Sequence, residues 1–299
     1  MRITNNMATQ LAVMQFDVAR QKLEEAQRKV TTGKAFERAS EDPTGAATVM
    51  ANTGALRALE QYKRNIGVGN RRLSLEENAV DQLTSLITRA KELAISQATD
   101  TASSQTRQVM LAEVNQLVQQ AVNLANTQIG SDYLFGGTTS ATAPFTIDTS
   151  GPAYTFTASG SAGGLQLEIG NGQRATATHD GTELFGTETA GVLKSLADFA
   201  AALSTGQQAA VASSIAGLDD SLASSQTRLG EVGARQNQMQ IADANIAAFK
   251  QNLIALNSDL QDVDLENAIT ELVGRQTAYQ AAMAATSRVM SLNLTDYLR

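Results

Sequence analysis

Residues 12–30 read AVMQFDVARQKLEEAQRKV, and their apolar spacing sets the class of structure. The apolar positions step mostly by four and three residues; they are Ala12, Phe16, Ala19, Leu23, Ala26 and Val30. Such steps keep side chains on one face of a helix and are typical of the a/d seam of a coiled coil. We therefore expect a first helix that packs against another helix.

The other end of the chain carries the same spacing. From Leu265 onward the sequence predicts a last helix about 50 Å long, because a helix rises about 1.5 Å per residue. A small domain cannot cover a helix of that length, so we expect the end helices to order mainly when neighbouring subunits bury them. The residues predicted to form this seam between subunits are Phe16, Leu23, Val30, Leu265, Ile269, Leu272, Tyr279, Met283 and Met290.

A change of composition separates residues 137–191 from the helical parts of the chain. This insert is rich in Gly, Thr, Ser and Ala and carries few charges. Leu165, Leu167 and Ile169 alternate with polar residues and lead into Gly170-Asn171-Gly172, which is a strong signal for a β-hairpin. We expect a small β-rich subdomain at the far tip of a helical protein.

Helix boundaries follow from the prolines and the caps. The Ser40-Glu41-Asp42 segment before Pro43 predicts the start of a second helix, because Asp caps helix N-termini and proline fits the first helical position. Heptad spacing runs to about Gln97 and resumes on a third helix that ends before Gly130, which predicts a helical hairpin. After the insert we expect a short helix and then a long one.

The fold class that follows is mainly α: an elongated, discontinuous helical bundle or coiled coil formed by both chain ends, with a small inserted β-rich subdomain. Three domains are predicted. Residues 1–42 and 258–299 form a terminal coiled-coil domain, residues 43–136 and 192–257 form a helical rod, and residues 137–191 form an outer β-rich domain.

Composition excludes several classes of function. The formal net charge is -7, so the electrostatic attraction that drives nucleic-acid binding is missing. The chain has no cysteine and one histidine, which excludes disulfides, thiol nucleophiles and a two-histidine zinc site within one chain. No apolar run exceeds five residues, whereas a membrane span needs about 20. We expect no membrane insertion, no cleaved signal peptide, no cofactor and no catalytic or metal-binding residue.

Three local patterns resemble functional sites but lack the residues that such sites need. His179-Asp180 resembles half of a catalytic triad, but we interpret it as a polar turn beside Gly181. Glu76-Glu77 is interpreted as a solvated helix face, because adjacent residues on a helix point in different directions. Gly67-Val68-Gly69 lacks the third glycine and the preceding strand of a dinucleotide-binding motif.

Several separate blocks resemble the bacterial flagellins and hook-associated proteins. Residues 86–98 carry an Arg-x-x-Glu-Leu-Ala core, residues 124–137 read LANTQIGSDYLFGG, and residues 228–237 read RLGEVGARQN. The blocks stand in the order that the family shows and are joined by a similar C-terminal helix. The positions that match the family motifs are Arg89, Glu92, Leu93, Asn126, Arg228, Gly230, Arg235 and Asn237.

The resemblance implies a structural protein of the flagellum rather than an enzyme. Within the family, the Met1-Arg2-Ile3-Thr4 start, the segment Ser40-Glu41-Asp42-Pro43 and Thr142-Ala143-Pro144-Phe145 are more like the junction proteins than the filament flagellins. Such a protein would form a ring of identical subunits between the hook and the filament. Its expected partners are hook-associated protein 1, flagellin, and an export chaperone that binds the C-terminal helix.

The resemblance also implies secretion by the flagellar type III system without a cleaved signal peptide. Two other functions stay open from the residues alone. The chain could itself be a filament-forming flagellin, whose terminal helices would carry the same seam. It could instead be a secreted coiled-coil adhesin or effector, in which the β-rich insert would be the functional part.

Overall fold

A computed structural model describes residues 2–98, 104–159 and 163–297, with the side chains of Met7 and, apart from Ser104, of residues 10–288 within these ranges. Long helices dominate this part of the chain, which confirms the expected mainly α fold. The helices are α1 Arg2–Thr32, α2 Pro43–Gln97, α3 Ser104–Ala125, α4 Gly181–Phe185, α5 Val192–Thr205, α6 Gln208–Gln261 and α7 Leu265–Tyr297.

The predicted start of the second helix is confirmed in detail. The helix begins at Pro43, and the Asp42 carboxylate accepts hydrogen bonds from the backbone N–H groups of Thr44 at 3.1 Å and Gly45 at 2.9 Å. A helix leaves its first N–H groups without partners inside the helix, so this carboxylate satisfies two of them. Asp42 therefore fixes where α2 begins.

The described strands form three separate antiparallel pairs in the middle of the chain: β1 Gln128–Ile129 with β2 Asp132–Tyr133, β3 Phe145–Asp148 with β4 Thr155–Ala158, and β5 Gln166–Gly170 with β6 Gln173–Thr176. The predicted β5–β6 hairpin is confirmed. It turns at Asn171-Gly172, where Gly172 has φ +69°, a backbone conformation that favours glycine.

The chain divides into two compact units. The terminal unit consists of residues 1–58 and 248–299, and the central unit consists of residues 59–247. The three-domain division expected from composition remains a prediction beside this two-unit description.

The core of the central unit joins the insert to the helices. Leu83 and Ile87 of α2 are fully buried in the same cluster as Phe135, which follows β2, and two phenylalanines of the insert, Phe145 of β3 and Phe185 of α4. The Phe185 ring lies 5.1 Å from the Phe135 ring and 5.9 Å from the Phe145 ring, centroid to centroid, and both pairs meet edge to face. Such aromatic pairs add to the free energy gained by burial alone.

A second buried cluster shows that the expected position of the insert at the far tip is wrong for the β5–β6 hairpin. Ile169 of β5 and Ala175 of β6 pack against helix residues from α2 and α6 in the central unit. A β-carbon on Gly69 of α2 would stand 2.8 Å from Met239 Cε, so a larger residue there would require the flexible end of the Met239 side chain to shift. Apolar side chains on one face of the hairpin favour this packing over a free position in water.

The central core makes a testable stability claim. Leu83→Ala should lower the free energy of unfolding by about 2–5 kcal/mol, because it leaves a cavity at a fully buried position. Leu75→Ala, on the same helix but 38% exposed, is the matched control and should cost much less. Urea unfolding followed by circular dichroism measures both, and equal losses for the two variants would contradict the described core.

Candidate assembly surface

The two chain ends pair with each other in an antiparallel arrangement. The rings of Phe16 on α1 and Tyr279 on α7 lie 5.2 Å apart, centroid to centroid. Nearer the chain termini, the Thr286 hydroxyl of α7 donates a hydrogen bond to the Ala12 carbonyl of α1 at 3.4 Å. The pairing that α1 was expected to make with another helix therefore takes place, at least in part, within a single chain.

Backbone hydrogen bonds fasten the inner end of this pair. The N–H of Ala35 donates to the Gln261 carbonyl at 2.7 Å, and the N–H of Val263 donates to the Gly33 carbonyl at 2.9 Å. Gly33 has φ +69°, which lets the chain leave α1 and turn toward these partners. The start of α7 is thereby held against the end of α1.

A carboxylate orders the segment between α1 and α2. The side chain of Glu41 accepts hydrogen bonds from the N–H groups of Glu37 at 3.0 Å and Arg38 at 3.5 Å, and lies 3.3 Å from the Arg28 guanidinium. The bond from Glu37 contributes most to lowering the pKa of the Glu41 carboxyl. Glu41 therefore remains ionised to lower pH than a free glutamate and holds the connecting segment in shape.

Sequence reasoning missed a second apolar stripe on α1. Met7, Leu11, Met14 and Val18 are between 47% and 65% exposed and are spaced by four, three and four residues. This is again heptad spacing, but it lies on a different face of the helix from Phe16. The heptad spacing of this second stripe is visible in the sequence, but the prediction from sequence rested on the stripe that contains Phe16 and several alanines.

Helix α7 is two-sided as well. Its less exposed residues are Ala268, Leu272, Arg275, Tyr279, Ala282 and Thr286, at strict steps of four and three. Its exposed large apolar residues are Leu265, Ile269, Val273 and Met283, each about half exposed.

The residues of the predicted subunit seam therefore fall on both sides of the terminal pair. Phe16, Leu23, Val30, Leu272 and Tyr279 are partly buried, whereas Leu265, Ile269 and Met283 face water in the single chain. The side chain of Met290 lies outside the described residues. Because Phe16 and Tyr279 contact each other, that part of the seam already has a partner inside the chain.

The balance of buried and exposed apolar residues differs sharply between the two units. Among the described residues, only three of the forty buried hydrophobic residues belong to the terminal unit, namely Ala26, Phe36 and Ala268. Thirteen of the seventeen exposed large hydrophobic residues belong to it. Exposed apolar surface on this scale marks a surface for association. We call the large apolar residues of α1 and α7 that are about half exposed or more the assembly surface: Met7, Leu11, Met14, Val18, Leu265, Ile269, Val273 and Met283.

The family-motif residues of α2, and Asn126 directly after α3, lie in the central unit and have structural roles. The Arg89 guanidinium pairs with Glu113 at 2.8 Å and Glu92 at 3.3 Å, and the hydrogen bond to Glu113 is the main reason that the pKa of Arg89 is raised. Leu93 is buried in the core, and the Asn126 side chain exchanges hydrogen bonds with the Phe145 backbone at 2.7 and 3.1 Å. These contacts tie α2 to α3, and α3 to the insert.

The motif residues of α6 divide between surface and interior. Gly230 and Asn237 are exposed, and a β-carbon on Gly230 would meet no atom within 4 Å. Arg228 pairs with Glu231 at 3.0 Å. The Nη1 atom of Arg235 is buried and has no hydrogen-bond partner among the residues that the structure describes.

Two of the interpretations from sequence are wrong. His179 is only 1% exposed and lies between Glu76 and Glu231, so it is not a simple polar turn. Glu76 is fully buried rather than solvated, because the His179 N–H and ring supply the partners that a buried carboxylate needs. These partners are separated by 103 residues, and no local pattern reveals the pairing.

Fold and surface together define a class of protein. A helical protein that pairs its two chain ends and leaves them apolar on the outside is built as a subunit of an assembly. Among the helices in the described ranges, none has the apolar length that a membrane crossing requires.

The comparisons with known proteins identify the family within that class. The bacterial flagellin N-terminal helical region matches residues 3–140, and the bacterial flagellin C-terminal helical region matches residues 215–298. This chain belongs to the bacterial flagellin family.

Its relatives include two kinds of flagellar protein. The flagellar hook-associated protein 3 of Escherichia coli K12 is 27% identical over 89% of this chain and 90% of its own length. The flagellar filament 30.7 kDa core protein of Treponema maltophilum is 26% identical over the full length of both chains. Among solved structures, Bacillus cereus FlgL matches with 26% identity and a TM-score of 0.55, covering 72% of this chain and 100% of its own. A putative flagellar hook-associated protein from Vibrio parahaemolyticus, 22% identical, shares the fold with a TM-score of 0.65 over 74% of this chain and 100% of its own.

The inner face of the terminal pair can be tested separately from its outer face. Phe16→Ala removes the ring that meets Tyr279 and should destabilise the α1–α7 pair by about 1–2 kcal/mol, less than a fully buried phenylalanine would. Met14→Ala, 65% exposed before the change, is the control and should leave the pair intact. Amide hydrogen exchange in α1 and α7 measures the difference in dilute protein. If both variants lose protection equally, the assignment of faces is wrong.

Proposed function

We propose that this chain is the subunit of the junction ring between the flagellar hook and its filament. The relatives named hook-associated protein 3 and the solved hook-associated structures support the junction role. The observation that carries the proposal is the assembly surface, whose half-exposed apolar residues have no cover within the described part of the chain. Fully burying an exposed side chain of this size contributes about 1.5–3 kcal/mol, so covering the half that is still exposed here would contribute roughly half of that, and a ring repeats each contact in every subunit.

In this proposal the terminal domain, residues 1–42 and 258–299, packs side by side with identical copies. The helical rod, residues 43–136 and 192–257, continues outward, and residues 137–191 face the outside. The ring would contact hook-associated protein 1 on its cell-proximal side and flagellin on its distal side. Differently placed apolar stripes on α1 and α7 suit a subunit that must meet neighbours on more than one side.

Export is part of the same proposal. The chain would leave the cell through the flagellar type III system without a cleaved signal peptide. A chaperone that covers Leu265, Ile269 and Met283 on α7 would prevent premature assembly, because these side chains are exposed in the single chain. An apolar helix face of this kind can bind in a hydrophobic groove on a partner protein.

A second candidate is a filament-forming flagellin. It is favoured by the full-length match to the Treponema maltophilum filament core protein, and the assembly surface would serve a filament as well as a ring. Deleting the gene in its own bacterium separates the two functions. A junction subunit predicts intact hooks and release of unpolymerised flagellin into the medium, whereas a filament protein predicts that this chain itself is the missing polymer. Normal filaments and motility in the deletion strain would contradict both.

The assembly surface can be tested with single substitutions. Met14→Asp and Ile269→Asp should each weaken subunit association at least about tenfold, because a carboxylate would be buried where a methionine or isoleucine was. Met14→Leu keeps the apolar character and is the matched control. Complementation of the deletion strain and sedimentation of the purified chain measure assembly, while circular dichroism checks that the fold is unchanged. Wild-type assembly by both aspartate variants would contradict the proposed surface.

A further inference from the structure

The chain's single histidine occupies an ionic cluster in the central unit. The Nδ1 atom of His179 bonds a Glu76 carboxylate oxygen, and its Nε2 atom lies 2.7 Å from Glu231 Oε2. The backbone N–H of His179 also donates to both oxygens of Glu76, at 3.2 and 3.3 Å. Glu76 belongs to α2 and Glu231 to α6, so one residue of the insert bridges two helices.

His179 lies three residues after the end of β6, and the β5–β6 hairpin depends on a small number of other contacts. Ile169 and Ala175 are its buried side chains on α2 and α6. Two hydrogen bonds from α2 add polar contacts: Asn65 Nδ2 donates to the Glu168 carbonyl at 2.7 Å, and the Tyr62 hydroxyl donates to Glu168 Oε1 at 3.5 Å. A two-stranded hairpin alone is marginally stable in water, so its anchoring to the helices decides whether it stays in place.

We propose that His179 is a proton-dependent clasp that holds the β5–β6 hairpin on the helices of the central unit and loosens it under alkaline conditions. An imidazolium has two ring N–H donors, one for each carboxylate. Neutral imidazole has only one donor and turns a lone pair toward the remaining carboxylate. Loss of the proton therefore removes one hydrogen bond and also leaves the buried Glu76 carboxylate without its cationic partner.

The charged groups around the clasp come from every element packed against it. Glu76 on α2 is fully buried, while Glu231 on α6 is partly exposed and is shared with Arg228. Arg235 on α6 is a second cation near the imidazole and opposes its protonation. Asp180, next in the chain, is occupied as the N-cap of α4 and by the N–H of Gly163 at 2.8 Å.

These groups set the direction of the pH dependence. Burial acts to lower the pKa of His179, but the hydrogen bond and charge of Glu76, with help from Glu231, raise it above its ordinary 6.5. Burial acts to raise the pKa of Glu231, but His179 and Arg228 lower it below its ordinary 4.5.

The pH dependence of each group's contribution to hairpin docking follows from the linkage between proton binding and folding. The histidine's contribution is fully present below pH 6.5 and is lost as the pH rises through the raised value in the folded protein. The Glu231 contribution is present above pH 4.5 and is lost as the pH falls through its lowered value. Hairpin docking is therefore strongest in mildly acidic solution and weakens on the alkaline side.

A loosened hairpin has a definite consequence. It would uncover Ile66 and Leu73 of α2 and Val232 and Met239 of α6, all of which are buried beneath it or beside it. Proton loss at His179 would thus be converted into new apolar surface on the central unit.

The experiment uses the full chain with isotope-labelled histidine, which gives one set of imidazole signals. Its NMR titration should have a midpoint above 6.5. Amide hydrogen exchange, corrected for the intrinsic pH effect, should show protection in β5 and β6 falling through the same midpoint, by on the order of tenfold for each unit by which the pKa is raised. Amides of α3, in the other core cluster, should keep their protection.

Three variants keep the test decisive. His179→Gln should lower hairpin protection at pH 6 and abolish its dependence on alkaline pH. Glu231→Gln, at a partly exposed position, should lower the midpoint of the His179 titration. This variant replaces His179→Gln in the test if His179→Gln folds poorly. Asn65→Ala removes a contact that does not titrate, so it should lower protection without changing the pH profile. A histidine midpoint below 6.5, or hairpin protection that ignores the titration, would overturn the proposal.

Discussion

The terminal helices have more apolar surface than they can cover for each other. Helix α1 carries one stripe that includes Phe16 and meets α7, and a second stripe of Met7, Leu11, Met14 and Val18 that meets water. A pair of helices buries only the faces that touch, so the outer stripes stay exposed in a single chain whatever the inner contact contributes. The free energy still available in this surface is released only when another molecule covers it.

The central unit satisfies the opposite condition. Among the residues that the structure describes, its helices and the insert bury thirty-seven of the forty buried hydrophobic residues, including a compact group of phenylalanines. The chain thus combines a well-buried central unit with chain ends that leave apolar surface for association, which suits a subunit of an assembly.

Heptad spacing and caps predicted most of the helical framework, including the start of α2 at Pro43. Turn residues predicted the β5–β6 turn at Asn171-Gly172. The choice of seam residues was harder. Ile269, Tyr279 and Met283 fit one broad apolar stripe in sequence, but a helix face that wide divides between an inner partner and the outside. Only the packing of α1 shows that Tyr279 points inward while Ile269 and Met283 are exposed.

The ionic cluster could not be predicted for a different reason. His179 and Glu76 stand 103 residues apart, and each sits in a local sequence typical of a solvated position. Only the folding of the hairpin against α2 and α6 brings them together and removes their water. Likewise, nothing in the Gly67-Val68-Gly69 sequence indicates that Gly69 lies close to Met239, a contact that only the packed structure shows.

Amide hydrogen exchange of the purified chain, as dilute monomer and after assembly, tests the central claim most directly. The account predicts weak protection of α1 and α7 in the monomer, a rise of about a hundredfold or more on assembly, and little change in α3 and α5. Terminal helices that are already as protected in the monomer as the central core, with no gain on assembly, would contradict it.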